Sequence, residues 1–390
     1  MEAGRRFDRT LGTCVVITLA IALFLMTAAQ HTDAHTPVTS KYDYNKDVFP
    51  LLRDHCALCH VPDGPAPMSL MTYSAAMPWA QSIRDELTSG RMPPWHIDPT
   101  SPLVKGGHPI SSRDLDVIVV WAAGGVPEGN LEAKLPKETF NPQWKLGPPD
   151  LKLQMDAEHT VSPSAIEELS EFLLPTNLTE TKWIKAADLM PGNPSIVRDA
   201  VISTDNGSVL SLWQPGSDTT AAPGGAAFRL APGSKIRLHI HYKKHFDQEQ
   251  NAVSDRSTVG LYFTDPPPSG RELESFAINP PEAPGGPSGS ATLGGALPKA
   301  ARIVALRPML DRAYESLNVD AITPSGARVP LLRLRGPRPQ WFRRYWLQAP
   351  IELAGGSKIE VQVTPLSDNS DEPKTPARFP LQIALDYVRQ

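Results

Sequence analysis

Hydrophobic residues along this chain change their spacing twice. From Leu11 to Ala29 they run almost without interruption behind Arg5, Arg6 and Arg9, and the chain then turns polar at Gln30. Between residues 46 and 122 they recur every three or four positions, the spacing of helices that bury one face. Lys46 to His55 reads as a short amphipathic helix. Trp79, Ile83 and Leu87 fall at four-residue intervals, with Gly90 as a stop. Leu115, Ile118, Val119 and Ala122 form the stripe of a third helix, capped by Ser111 or Ser112 and ended by Gly124, Gly125 and Pro127. After residue 130 a period of two takes over. Ile236, Leu238, Ile240 and Tyr242 alternate with Lys235, Arg237, His239 and His241, and Ile359, Val361 and Val363 alternate with Glu360 and Gln362. Pro324-Ser325-Gly326 marks a turn between two such runs. The pattern predicts a small helical region followed by β-structure.

Composition sharpens this reading. With 390 residues, 41% of them hydrophobic, the chain is long enough for two or three domains. Its 41 prolines and 27 glycines favour turn-rich β-structure over long helices. The net charge is −4, which suggests neither nucleic acid nor a basic membrane surface as partner. The run at residues 1–29 reads as an export signal with cleavage expected after Ala29, where small Thr27 and Ala29 sit at the positions a signal peptidase reads. Retention of residues 11–29 as an anchor helix is the alternative, because the run approaches the roughly 20 residues that span a bilayer. Cys14 lies near the start of that run and reads as part of the signal core.

Chemistry concentrates at Cys56-Ala57-Leu58-Cys59-His60. Two thiols three residues apart, followed at once by an imidazole, form the pattern of covalent c-type haem attachment: the sulfurs take the haem vinyl groups and the histidine takes the iron. The chain has 3 cysteines in all, so no second pair completes a four-thiolate zinc site. A dithiol oxidoreductase would place the pair in a βαβ setting, whereas here a helix runs into it. Export agrees with haem attached outside the cytoplasm, and no disulfide framework is needed.

The iron then needs a sixth ligand or an open position. Gly90-Arg91-Met92-Pro93-Pro94-Trp95-His96 is a proline-stiffened loop, and Met92 is the expected distal ligand, since a thioether opposite imidazole raises the potential. Met68 lies only 8 residues beyond His60 and would have to go around the porphyrin; His96 would give a lower potential. His55 and His108 read as surface or hydrogen-bonding residues.

Tyr44 to Leu52, the Cys56–His60 motif, Arg91 to Trp95 and Ala122 to Gly129 together resemble the cytochrome module of exported bacterial proteins that continue into a copper type II ascorbate-dependent monooxygenase-like region. Eukaryotic relatives of that region hydroxylate peptidylglycine and dopamine. Trp144 to Asp150, Pro191-Gly192-Asn193, and Trp213 before Pro215-Gly216 are similar to its landmarks, in order. The resemblance implies a small all-α cytochrome c domain followed by two all-β jelly-roll sandwiches. On that expectation residues 41–129 form the cytochrome, 130–150 a proline-rich linker, 151–268 the first sandwich and 269–390 the second, with a loop from Pro280 to Ser290. It also implies His60 and Met92 as axial ligands.

The copper ligands of that family are mostly missing. Arg198-Asp199 stands where a His-His pair is expected, His241-Tyr242 matches the third histidine, and Pro308-Met309-Leu310 replaces a His-x-His. The late methionine has no counterpart in Ile383 to Tyr387. Guanidinium and proline do not bind copper. Strand alternation still puts His239 and His241 on one face, with His245 as a third candidate, although Lys235, Arg237 and Lys243 would disfavour a cation there.

Three expectations follow. The first is an exported electron-transfer protein with one covalent haem c, no copper, a redox partner protein in the cell envelope, a periplasmic location and a non-catalytic β-region. The second is a hydroxylase with a non-standard copper site at His239 and His241 fed by the haem. The third is a haem-based envelope sensor or structural protein with an open sixth position.

Overall fold

The computed structural model describes residues 39–94, 97–106, 110–141, 143–217, 219–268, 271–279, 291–366 and 378–389. The export signal with Cys14, Trp95, His96, His108 and the loop from Pro280 to Ser290 lie outside the described residues.

The helical segment opens on a π-helical turn, Tyr44–Val48, whose N-cap Asp43 accepts a hydrogen bond from the Lys46 amide at 2.9 Å. It leads directly into α1, Phe49–Cys56, with Pro50 in the first turn where its missing N–H costs nothing. After α2, Tyr73–Ala76, a 3-10 turn Met77–Trp79 feeds α3, Ala80–Thr88, which buries Ala80, Ile83 and Leu87. In α4, Ser112–Ala123, Ser111 is the cap: its hydroxyl accepts from the Asp114 amide at 3.1 Å. The fully buried face of α4 is Val117, Ile118 and Trp121, whereas Leu115, Val119 and Ala122 are half-buried. Tyr44 is the centre of this core, packed by Phe49, Tyr73 and Trp121 with ring centroids 5.8 to 6.1 Å away. The Tyr44 and Asn45 amides donate to the carbonyls of Pro127 and Glu128, so two of the segments that carry the resemblance touch each other.

Beyond residue 150 the chain is strands. The first set is β1 Leu151–Gln154, β2 His159–Val161, β3 Glu167–Pro175, β4 Lys182–Met190, β5 Val197–Thr204, β6 Val209–Trp213, β7 Phe228–Leu230, β8 Lys235–Lys243, β9 Val253–Asp255 and β10 Thr258–Thr264. The second is β11 Glu274–Ile278, β12 Ala291–Ala296, β13 Ala301–Met309, β14 Tyr314–Ile322, β15 Arg328–Arg335, β16 Tyr345–Leu353, β17 Lys358–Pro365 and β18 Gln382–Arg389. They pair antiparallel into sheets ordered β1-β10-β4-β7, β3-β8-β5-β6, β11-β18-β13-β16 and β12-β17-β14-β15, with a two-stranded sheet β2-β9. Ile236, Leu238, Ile240 and Tyr242 of β8 are fully buried, as their alternation requires. Their core also takes in Val304, Ala305, Trp346 and Val388, so the two sets of strands are continuous in their interior.

The expected small all-α cytochrome c domain followed by two all-β jelly-roll sandwiches is corrected by this architecture. Strands hold 39% of the described residues and helices 16%. The α-helices are short, from 4 to 12 residues, and form no clear all-α cytochrome domain. Proline is the physical reason. Pro62, Pro65 and Pro67 after α1, and Pro93 and Pro94 beyond the Gly90 stop of α3, leave the segments between the helices without the amide donors that longer helices would need. The segment after α3 pairs with strands instead: Ile97 bridges Leu334 and Val104 bridges Leu347. Among the described residues no helix is long and apolar enough to cross a membrane.

Candidate functional site

The motif sits at the end of α1, where the helix tightens into a turn. The Cys56 carbonyl accepts both the Cys59 amide at 3.1 Å and the His60 amide at 2.9 Å. The chain then folds back on itself, with the Ala66 amide on the Cys59 carbonyl and the Leu70 amide on the His60 carbonyl, at 3.2 and 3.0 Å. The Tyr44 hydroxyl donates to the Leu70 carbonyl at 2.7 Å, which fixes this return to the helical core. Gly64 allows the close fold: a Cβ there would lie 2.6 Å from the Cys59 carbonyl oxygen and 2.9 Å from Val61. Gly64→Ala should therefore lower stability by about 1–3 kcal/mol through overpacking, read from the midpoint of thermal unfolding by circular dichroism.

Both thiols are free and half-buried. Burial, and secondarily the neighbouring Cys59 sulfur, pushes the Cys56 thiol up to about 12. Burial pushes Cys59 up to about 11, against the opposing charges of Arg198 and Lys145. A dithiol used for exchange chemistry has its thiol lowered towards neutrality, and these are moved the other way. Burial also lowers the His60 imidazole, opposed by its contact with the Met68 carbonyl, 3.1 Å from Nδ1. That contact fixes the ring through Nδ1, and Nε2 has no hydrogen-bond partner among the described residues. A metal-binding histidine is oriented in this way, by a carbonyl on its other nitrogen.

Met92 follows α3. Gly90, with φ of 69°, ends the helix, and the amides of Arg91 and Met92 both return to the Glu86 carbonyl. This holds the Met92 backbone at the C-terminal end of α3, with its side chain half-exposed and outside the buried helical core.

No family model matches this chain. No curated protein matches it either. Among solved structures, the major capsid protein P2 of bacteriophage PM2 is 11% identical, over 61% of this chain and 96% of that one, with a TM-score of 0.28. A xanthan lyase from Paenibacillus is 10% identical over 65% of this chain, which spans 28% of the lyase, with a TM-score of 0.17. At such scores the likeness carries no argument about this chain.

The three histidines considered for copper have separate partners. His239 Nε2 lies 3.3 Å from Glu171. His241, buried, has Nδ1 2.9 Å from Asp199 and Nε2 2.7 Å from Glu167, so both ring nitrogens already face carboxylates. Arg378 binds both Asp199 oxygens at 2.6 Å. His245 Nε2 lies 3.3 Å from the Pro65 carbonyl, away from β8 and against the loop after the motif. Among the described residues no three His, Cys, Asp or Glu side chains are grouped to hold a metal ion.

Sequence reasoning missed the β-strand side of the motif. Arg198 of β5 donates to the Pro65 carbonyl, and the Cys59 thiol donates to the Pro215 carbonyl at 3.6 Å. A cavity of about 180 Å³ opens here, lined by Ala57, Leu58, Lys145, Asp188, Trp213 and Gly216 among others. Read along the chain, Arg198 and Asp199 were only failed copper ligands. Pairing of β5 with β8 puts Asp199 opposite His241, a signal available only once the strands are aligned.

Proposed function

We propose that this chain is an exported electron-transfer protein with one covalent haem c, tethered at Cys56 and Cys59 and ligated by His60. The observation that carries this reading is the arrangement of His60, whose Nδ1 is fixed by the Met68 carbonyl while Nε2 is left to bind, immediately after two free thiols. These groups fit a haem in kind: two sulfurs to attach it and a neutral, oriented imidazole for its iron. When bound, the haem supplies a one-electron couple between ferric and ferrous iron. The chain's own part is to hold that group rigidly, through the Cys56 carbonyl turn and the Tyr44 tie, and to exclude water around it so that little reorganises on electron transfer.

Met92, whose backbone is held at the C-terminal end of α3, would be the distal ligand to a bound haem. Met92→Ala should open the sixth position, giving carbon monoxide binding by the reduced protein without denaturation and a lower midpoint potential. A wild-type protein that binds carbon monoxide as readily as the variant would remove Met92 from this role. The proposed partner is a redox protein of the cell envelope, and the proposed location is the periplasm, with residues 11–29 either cleaved or retained as an anchor.

The test is spectroelectrochemical titration of the full chain expressed with haem-maturation machinery. A reversible one-electron transition in the haem bands supports the reading. A protein whose visible spectrum does not respond to applied potential would overturn it.

A further inference from the structure

The β-strands and their turns press on the motif and the loop after it from three places. From β5, Arg198 donates to the carbonyl of Pro65, five positions beyond His60. From the residues just after β8, His245 Nε2 approaches the same oxygen at 3.3 Å. From the turn after β6, the Pro215 carbonyl takes the Cys59 thiol at 3.6 Å. Gly216, with φ of 72°, is packed so closely that a Cβ would lie 3.1 Å from both Cys59 Sγ and Leu58 Cβ.

We propose that Arg198 is a positioning residue of the haem site, holding the loop after His60 and setting a fixed positive charge against that loop that raises the reduction potential of the attached haem. This rests on the haem reading above. The hold is geometric: Arg198 stands at the irregularity of the β5–β8 pairing, between Val197 opposite Tyr242 and Asp199 opposite His241, so its reach to Pro65 ties the loop to the sheet. The charge argument is electrostatic. Ferric haem carries one more positive charge than ferrous, so a nearby guanidinium disfavours the oxidised state, more strongly where water is excluded. Burial lowers the Arg198 guanidinium, yet a guanidinium stays protonated at neutral pH. Lys145 lines the same cavity as Ala57 and Leu58 of the motif.

The experiment compares midpoint potential and thermal midpoint for the wild type, Arg198→Gln, Arg198→Lys and Lys145→Gln, each as haem-loaded full chain. Arg198→Gln should lower the potential by the equivalent of about a tenfold change in the oxidised-to-reduced ratio, about 59 mV for one electron. Arg198→Lys keeps the charge and loses the geometry, so it should lower the thermal midpoint while retaining most of the potential. Lys145 is exposed, so its replacement should fold normally and lower the potential in the same direction by less. Equal potentials in wild type and Arg198→Gln, or an equal fall in Arg198→Gln and Arg198→Lys, would reduce Arg198 to a structural tie and overturn the proposal. If Arg198→Gln does not fold, an unchanged potential in Lys145→Gln overturns the charge effect. A wild type without covalent haem would sink the haem reading before any variant is compared.

Discussion

Cys56→Ala/Cys59→Ala, expressed with haem-maturation machinery, should yield a folded protein that keeps no haem after acid-acetone extraction, against complete retention in the wild type. The expectation follows from the two thiols being the only covalent anchors offered by the motif, with no third cysteine among the described residues. Each single variant should keep one thioether and a shifted absorption band. Stability should change little in the apo-proteins, because both side chains are only half-buried and alanine removes a single sulfur. Far-ultraviolet circular dichroism separates loss of haem from loss of fold. Retention of haem by the double variant would show attachment elsewhere.

Asp386→Ala should cost about 3–5 kcal/mol in urea unfolding, a large part of the roughly 5–15 kcal/mol that holds a typical domain together. Asp386 of β18 is fully buried. It accepts from Arg307 at 2.9 to 3.1 Å, from Arg344 Nε at 2.8 Å and from the Ser275 hydroxyl at 2.6 Å. Arg344 also reaches the Leu210 and Val209 carbonyls of β6, at 2.6 and 2.5 Å, so the network joins the two sets of strands. Removing the carboxylate leaves two guanidiniums in the interior without their counter-charge. Burial already pushes Arg344 down to about 10, against the pull of Asp386.

The pH dependence has a definite sign. Burial would raise the Asp386 carboxyl, but Arg344 and Arg307, with the hydrogen bonds from Arg307 and Ser275, outweigh it and hold it below the usual carboxylate range. A folded-state value below the unfolded one stabilises the fold fully above about pH 3.9. That contribution is lost as the pH falls through the folded value. The wild type should thus lose stability on acidification more steeply than Asp386→Ala.

What the sequence made legible was local. The helix before Cys56 and the Ser111 cap are contacts between residues a few positions apart, and both are found where their spacing puts them. The alternation of Ile236 to Tyr242 is likewise a property of one strand. Burial of His241 was not legible, because it depends on Asp199, Glu167 and Arg378 arriving from elsewhere. The fold-class expectation failed for a related reason: three amphipathic stripes were extended to a whole all-α domain, although the prolines between them leave short helices and irregular chain. The Arg198 contact with Pro65 and the Asp386 network join residues separated by 133 and up to 135 positions, beyond any spacing rule.

The most direct test is a pyridine haemochrome spectrum after acid-acetone extraction, with iron and copper measured on the same purified chain. The account predicts haem that stays with the protein, thioether-type bands, one iron per chain and no copper. A colourless protein with Cys56 and Cys59 both open to alkylation, or one carrying stoichiometric copper, would contradict it.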